Sequence, residues 1–306
     1  MNYCFYHSAD FDGVLSGFLV KHFISDAELI GINYGDEFPY DKITKEDTVY
    51  MVDFSLQPID GMIRLLESCK RLVWIDHHIS ALKAFQEYPN ELPKIMEGKR
   101  DNNFSGCELV WQYFSKEPMP EAVRLLGRYD IWDDSEDWYR ILCFQYGLRM
   151  IDLRADDVKW YAYIPFNEVS KLNVTKNIED IIHDGQVCLT FIQSDNKKYL
   201  FAYGYEITFD GLNAIVCNKG MSNSKLFDSV WDATKYDIMI TYCKLKNHPT
   251  KWTVSLYSTK SDVDCSIIAK ERGGGGHKGA SGFQTDDITE FMPNIKKEGL
   301  LINQTI

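Results

Sequence analysis

The sequence predicts an α/β protein of two domains: a parallel-sheet N-terminal domain followed by a smaller mixed α/β C-terminal domain. Three observations lead there. The chain has 306 residues, more than a typical small domain uses. Up to Asp130, short apolar runs alternate with stretches of helical periodicity, the signature of a parallel sheet with crossover helices. From Tyr199 this alternation gives way to short segments rich in β-branched and aromatic residues. The domains are placed at 1–160 and 196–306, with a helical connector at 161–195.

The first strand, residues 2–7, ends at His7. It is followed by Ser8-Ala9-Asp10-Phe11-Asp12-Gly13 and then by apolar residues at helical spacing, Val14, Leu15, Phe18, Leu19 and Phe23. Asp10 and Asp12 are two apart and could serve two neighbouring ions; either one alone could simply cap the helix. Residues 28–34 read as a second strand with a turn at Tyr34-Gly35-Asp36, and residues 48–54 as a third with Asp53 near its end. Pro58 is expected in the first turn of a helix from Ile59 to Ser68. The fourth strand, Arg71 to Ile75, runs into Asp76-His77-His78.

Three strands thus end in His or Asp, and in a parallel sheet such ends share one edge. Burying these polar groups is costly unless something compensates them. A metal ion does so, and the Asp/His mixture suits Mn²⁺, Zn²⁺ or Fe²⁺. Farther on, Ser105 with Glu108 three residues later predicts a capping box on a helix over 104–115, and a second helix covers 120–129. Asp130 at its end could bend back to the metal edge or lie in a solvated loop.

Residues 141–195 read as mainly helical. Beyond them, strands are expected at 199–207, 214–217, 236–243 and 252–257, with helical segments near 224–231 and 263–270. Then comes Arg272-Gly273-Gly274-Gly275-Gly276-His277-Lys278. Four glycines could form a linker, but a His and a Lys follow at once. Glycine admits close backbone approach to an anion, and the two side chains add donors, so a phosphate cradle is expected at Gly274, Gly275, Gly276, His277 and Lys278.

The net charge of −12 argues against long duplex DNA as a partner, because phosphate binding relies on excess Lys and Arg. A small anionic substrate remains compatible where a bound cation reverses the local field. The eight cysteines are scattered with no CxxC pair, as expected of reduced core thiols in a cytoplasmic protein. No run of 18 apolar residues suggests a membrane span, and the N-terminus lacks the basic region of a signal peptide.

These residues resemble a family, the DHH phosphoesterases that carry the DHH-associated C-terminal domain. His7/Asp10/Asp12-Gly13 looks like its first motif, Asp53 its second, Asp76-His77-His78 its third and Asp130 its fourth; Gly273 to Gly282 looks like the C-terminal signature. The ordered set spans nearly the whole chain. The resemblance implies a metal-dependent hydrolase with two Mn²⁺ ions (Mg²⁺, Co²⁺ or Fe²⁺ being alternatives) roughly 3.5–4 Å apart that activate a water for attack on phosphorus. His7, Asp10 and Asp53 would hold one ion, and Asp12, Asp53, His77 and Asp130 the other, with Asp53 bridging. His78 would orient a ligand or touch a phosphate oxygen, and Asp76 would orient its neighbours. The active site would lie in the interdomain cleft. Tyr257 stands where many members have Arg, and would stack on a base or hydrogen-bond a phosphate.

Within this family the chain looks like the small stand-alone type. It lacks room for an added oligonucleotide-binding domain and shows no membrane or sensor segment. The expected activity is a phosphodiesterase (exonuclease or oligoribonuclease-like) that converts short oligonucleotides or linear dinucleotides to mononucleotides. The alternatives are a phosphatase for 3′-phosphoadenosine 5′-phosphate, a polyphosphatase, a cyclic-dinucleotide phosphodiesterase, or a non-catalytic nucleotide-binding protein. A homodimer is compatible with these expectations.

Overall fold

The computed structural model describes residues 1–88, 96–166, 171–246 and 248–292, with the backbone only for 171–176. It divides into two compact units, Met1–Leu189 and Thr190–Ile306. Parts of the predicted 161–195 and 196–306 segments lie outside the described residues.

The first unit is built on β1 (Asn2–His7), α1 (Phe11–Phe23), β2 (Glu28–Ile32), β3 (Thr48–Val52), α2 (Asp60–Ser68), β4 (Arg71–Ile75) and α3 (Ile79–Gln86). It continues with α4 (Gly106–Phe114), α5 (Glu121–Asp130) and α6 (Trp138–Leu148). The strands form one parallel sheet in the order β2-β1-β3-β4. Alternation along the strands divides the core into two layers. Cys4, Tyr50, Val52, Val73 and Ile75 pack with α1, α4, α5 and α6 on one face. Tyr3, Phe5, Val49, Met51, Leu72 and Trp74 pack with α2 and α3 on the other. β1, β3 and β4 are therefore apolar on both sides, which is why they read as continuous apolar runs.

The register fixes what happens at the carboxyl edge. Tyr6 pairs with Val52, and Val52 with Ile75. The next residues along, His7, Asp53 and Asp76, are thereby brought side by side.

Helix α7 (Lys171–Tyr203) contains the boundary between the units. The second unit then forms β5 (Gly204–Phe209), β6 (Leu212–Cys217), β7 (Ile238–Lys244), β8 (Trp252–Tyr257), α8 (Cys265–Glu271), β9 (Gly275–His277) and β10 (Ala280–Thr285). Its mixed sheet has the order β5-β6-β7-β8-β10-β9, with β6 and β7 the parallel pair. The α/β architecture and its second mixed sheet are as predicted.

Several local expectations need correction. Residues 199–203 are helix, not strand: aromatic composition suggests a strand, but no breaker separates them from α7 before Gly204. Leu200 is buried there while Phe201 is 94% exposed. The 141–195 stretch is broken between α6 and α7 by turns and a short 3₁₀ segment, Val158–Ala162. The segment near 224–231 is a 3₁₀ turn, Ser224–Phe227. Pro58 precedes the N-cap, Ile59, rather than entering the first turn of α2. The linker alternative for the glycine run does not hold, since Gly275 and Gly276 lie with His277 in β9, paired antiparallel with β10.

Candidate metal centre

Asp10 is not free in an extended loop. It is the N-cap of α1, its Oδ1 accepting from Gly13 N at 2.9 Å, while Oδ2 lies 2.9 Å from His7 Nδ1. Capping and membership of the cluster use different oxygens of one carboxylate. Asp12 falls in the first turn of α1 and is buried. Its Oδ2 accepts from Gly106 N at 2.7 Å and its Oδ1 from Cys107 N at 2.8 Å, so the carboxylate sits on the amino end of α4. Unsatisfied amides and the helix dipole both favour an anion there. The Ser105–Glu108 capping box holds that end of α4 in place.

Asp53 follows β3 with φ of 52°, in the left-handed region that Asp tolerates better than most residues. Its two oxygens look two ways. Oδ2 is 3.7 Å from His7 Nδ1, and Oδ1 is 3.1 Å from His77 Nε2. His77 Nε2 is also 3.3 Å from Asp130 Oδ2 and 3.8 Å from Asp12 Oδ2. Three overlapping groups thus offer ligand atoms within 4.8 Å of one another: His7, Asp10 and Asp53; Asp12, His77 and Asp130; and Asp53, His77 and His78. Asp53 and His77 are each shared by two groups.

Asp76 serves its neighbours. Fully buried, its Oδ1 accepts from His77 N (2.8 Å), His78 N (3.1 Å) and His78 Nδ1 (2.7 Å). Trp74 Nε1 lies 3.3 Å from its other oxygen. The carboxylate therefore fixes both the strand exit and the His78 ring.

The electrostatics describe a crowded anionic pocket. Burial opposes charge on His7, yet the adjacent carboxylates of Asp10 and Asp53 raise it to about 10. His77 is likewise raised to about 10, against burial, by Asp53, Asp12 and Asp130. Burial and the nearby Asp53 charge push Asp12 up to about 7, and Asp130 is pushed well above its ordinary range by burial and by Asp12 and Asp53. Against burial, the nearby His7 and His77 rings hold Asp53 below the usual carboxylate range. So many carboxylates can share this space only by holding protons or by facing cations.

The donor set fits divalent cations. Among the described residues, buried Asp53 Oδ1 and His7 Nδ1 make no hydrogen bond of proper direction, although partners lie within reach. Such atoms are otherwise costly to bury. Gly106 shows the tightness of the site, since a Cβ there would stand 2.6 Å from Asp53 Cβ and 2.7 Å from Oδ1. Sequence inspection passed over Gly106, because nothing local connects it to a carboxylate more than fifty residues earlier. Glu108 was recognised only as a cap. Its buried carboxylate also pairs with the half-buried Arg128, Nη2 to Oε1 at 2.9 Å.

In the second unit, Gly276 has φ of 135°, and Gly274 abuts Gly282 O, so hairpin packing itself demands glycine at both. Gly275 has no such constraint, and a Cβ there would meet nothing within 4 Å. His277 is exposed, and Lys278 Nζ donates to Ser261 O at 2.6 Å. Tyr257 donates its hydroxyl to Ser222 O at 3.0 Å, so a phosphate bond from that hydroxyl would have to displace this one.

No family model matches the chain. It is 24% identical to the uncharacterized protein R106 of Acanthamoeba polyphaga mimivirus, over 97% of this chain and 70% of that protein. Among solved structures it is similar to an exopolyphosphatase-related protein from Bacteroides fragilis, with a TM-score of 0.52 and 17% identity over 95% of this chain and 88% of that one. A manganese-bound exonuclease RecJ gives a TM-score of 0.48 and 12% identity over 92% and 85%. The Bacteroides likeness shows a shared fold across both units. Among the described residues no helix is long and apolar enough to cross a membrane.

Proposed function

We propose that the chain is a DHH-type phosphoesterase that cleaves short oligonucleotides or linear dinucleotides to mononucleotides. One observation carries this reading: two ligand groups, His7/Asp10/Asp53 and Asp12/His77/Asp130, meet at the two oxygens of Asp53. Two divalent cations held there, Mn²⁺ in the first instance, would supply an activated water and neutralise charge on the phosphoryl group.

The chain's own residues do the rest. Asp53 holds the two halves of the site together. Asp12, anchored on the α4 amides, presents its carboxylate in one orientation. Asp76 fixes the His78 ring through Nδ1, leaving Nε2 to face a phosphate oxygen. In the second unit, the open backbone at Gly275 with His277 and Lys278 supports a terminal-phosphate site. These donors would also offset the chain's acidity for an anionic substrate.

The test is a product-resolved assay over linear dinucleotides, short RNA and DNA, cyclic dinucleotides, 3′-phosphoadenosine 5′-phosphate and polyphosphate. It is run with Mn²⁺, Mg²⁺, Co²⁺ and Fe²⁺. Mononucleotide release from dinucleotides, lost in Asp53→Ala, is expected. Phosphate release from the other monoester or polyphosphate substrates alone would overturn the substrate assignment. His277→Ala should raise KM for a 5′-phosphorylated dinucleotide more than for one lacking that phosphate.

A further inference from the structure

One aromatic ring beside the metal centre has no part in holding it. Tyr34 sits in the turn after β2, at the edge that carries His7. The turn is pinned: Asn33 N donates to Asp36 Oδ2 at 2.8 Å, Asp36 N to Asn33 O at 3.1 Å, and Ser8 N to Ile32 O at 3.2 Å. The Tyr34 ring rests against buried Phe54, with centroids 4.6 Å apart. It lies 5.7 Å from the His7 ring and 6.3 Å from the His78 ring. Tyr34 is therefore held by the turn and by Phe54, yet it remains 49% exposed.

We propose that Tyr34 is the platform on which a nucleobase of the substrate stacks. This rests on the phosphoester reading of the metal centre and assigns a residue that would select its nucleotide substrate. A rigid aromatic face is the sequence-tolerant way to hold a base, and pre-fixing the ring lowers the entropy cost of using it. The neighbouring chemistry points the same way. The segment from Asn33 to Asp41 contains Asp36, Glu37 and Asp41, faced by the cation of Arg64 over the Tyr40 ring, and so keeps a net negative charge. A polyphosphate chain running in this direction would meet like charge, whereas a neutral base carrying amino donors would not.

The test uses the full chain loaded with Mn²⁺ and compares binding of adenosine 5′-monophosphate and ribose 5-phosphate by calorimetry. Wild type should bind the nucleotide about 10-fold or more tightly, within the range that base–aromatic stacking provides. Tyr34→Leu should collapse that preference while ribose 5-phosphate affinity and Mn²⁺ stoichiometry stay unchanged. Tyr34→Phe should keep it. Equal binding of the two ligands by wild type, or a preference that survives in Tyr34→Leu, overturns the proposal. If Tyr34→Leu loses Mn²⁺, then Tyr34→Phe and Tyr34→Trp decide: both must keep the preference, and loss of it in either overturns the proposal. Base-dependent binding with no hydrolysis of any phosphoester would sink the proposed function alone. Hydrolysis with base-independent binding would sink the Tyr34 assignment alone.

Discussion

Replacing Gly106 by Ala should damage a site that Gly106 does not itself ligate. In most helices this change is favourable, because Gly costs about 0.5–1 kcal/mol relative to Ala. Here the new Cβ would stand 2.6 Å from Asp53 Cβ, 2.7 Å from Oδ1 and 2.8 Å from Cγ, against the 3.4 Å where ordinary contact begins. The shortfall is about 0.8 Å. Asp53 has little freedom to yield. It is buried, its backbone is in the left-handed region, and its amide is bonded to Ile75 O at 2.9 Å. The other way out is to move α4, which would loosen the amides that hold Asp12. Either response shifts a shared ligand by a large fraction of an ångström. Losing a supporting partner typically costs about 10–100-fold in metal affinity, and that loss is expected here. Titration of Mn²⁺ into the variant, paired with a melting curve in chelator, reads both effects. A variant that melts higher and binds Mn²⁺ as tightly as wild type would refute the packing argument.

Other consequences follow from the same geometry. Asp76→Ala leaves His77 N, His78 N and His78 Nδ1 without their acceptor, so activity should fall about 10–100-fold with Mn²⁺ stoichiometry retained; a loss of both ions instead would make Asp76 a ligand. Metal binding should release protons. His7 and His77 are raised to about 10 and Asp12 to about 7, so below those values the metal-free site holds protons that a cation must displace. Mn²⁺ affinity should therefore rise with pH, and calorimetry in buffers of different ionisation enthalpy should register proton release at pH 7; no release would contradict these assignments. Arg128→Ala strands the buried Glu108 carboxylate and should cost about 3–5 kcal/mol, with Glu108→Gln in the same chain recovering part of it. Equal melting temperatures for wild type and Arg128→Ala would show that the pair contributes nothing.

The elements that shape the site were legible wherever their cause is local. The apolar runs of β1, β3 and β4 announce strands buried on both faces, and Asp53 and Asp76 follow those runs directly. Ser105 and Glu108 specify a helix start through their own spacing. What escaped depends on residues far apart in sequence. Gly106 matters because α4 begins against Asp53 and Asp12, and Tyr34 because its turn lies beside Phe54 and His78. The helix at 199–203 was hidden by its composition, since Tyr199, Phe201 and Tyr203 favour strands until a preceding helix carries through them. In the glycine run, the alternation that identifies a strand has no side chains to show it, so the hairpin was invisible.

The central claim is that two cations meeting at Asp53 drive hydrolysis. The most direct measurement is the rate of mononucleotide release from a linear dinucleotide as Mn²⁺ is added back to chelator-treated protein. No release is expected without metal, and the rate should saturate once two ions are bound per chain, with Asp53→Asn inactive throughout. Release that persists in chelator, or that saturates at one ion with Asp53→Asn still active, would contradict it.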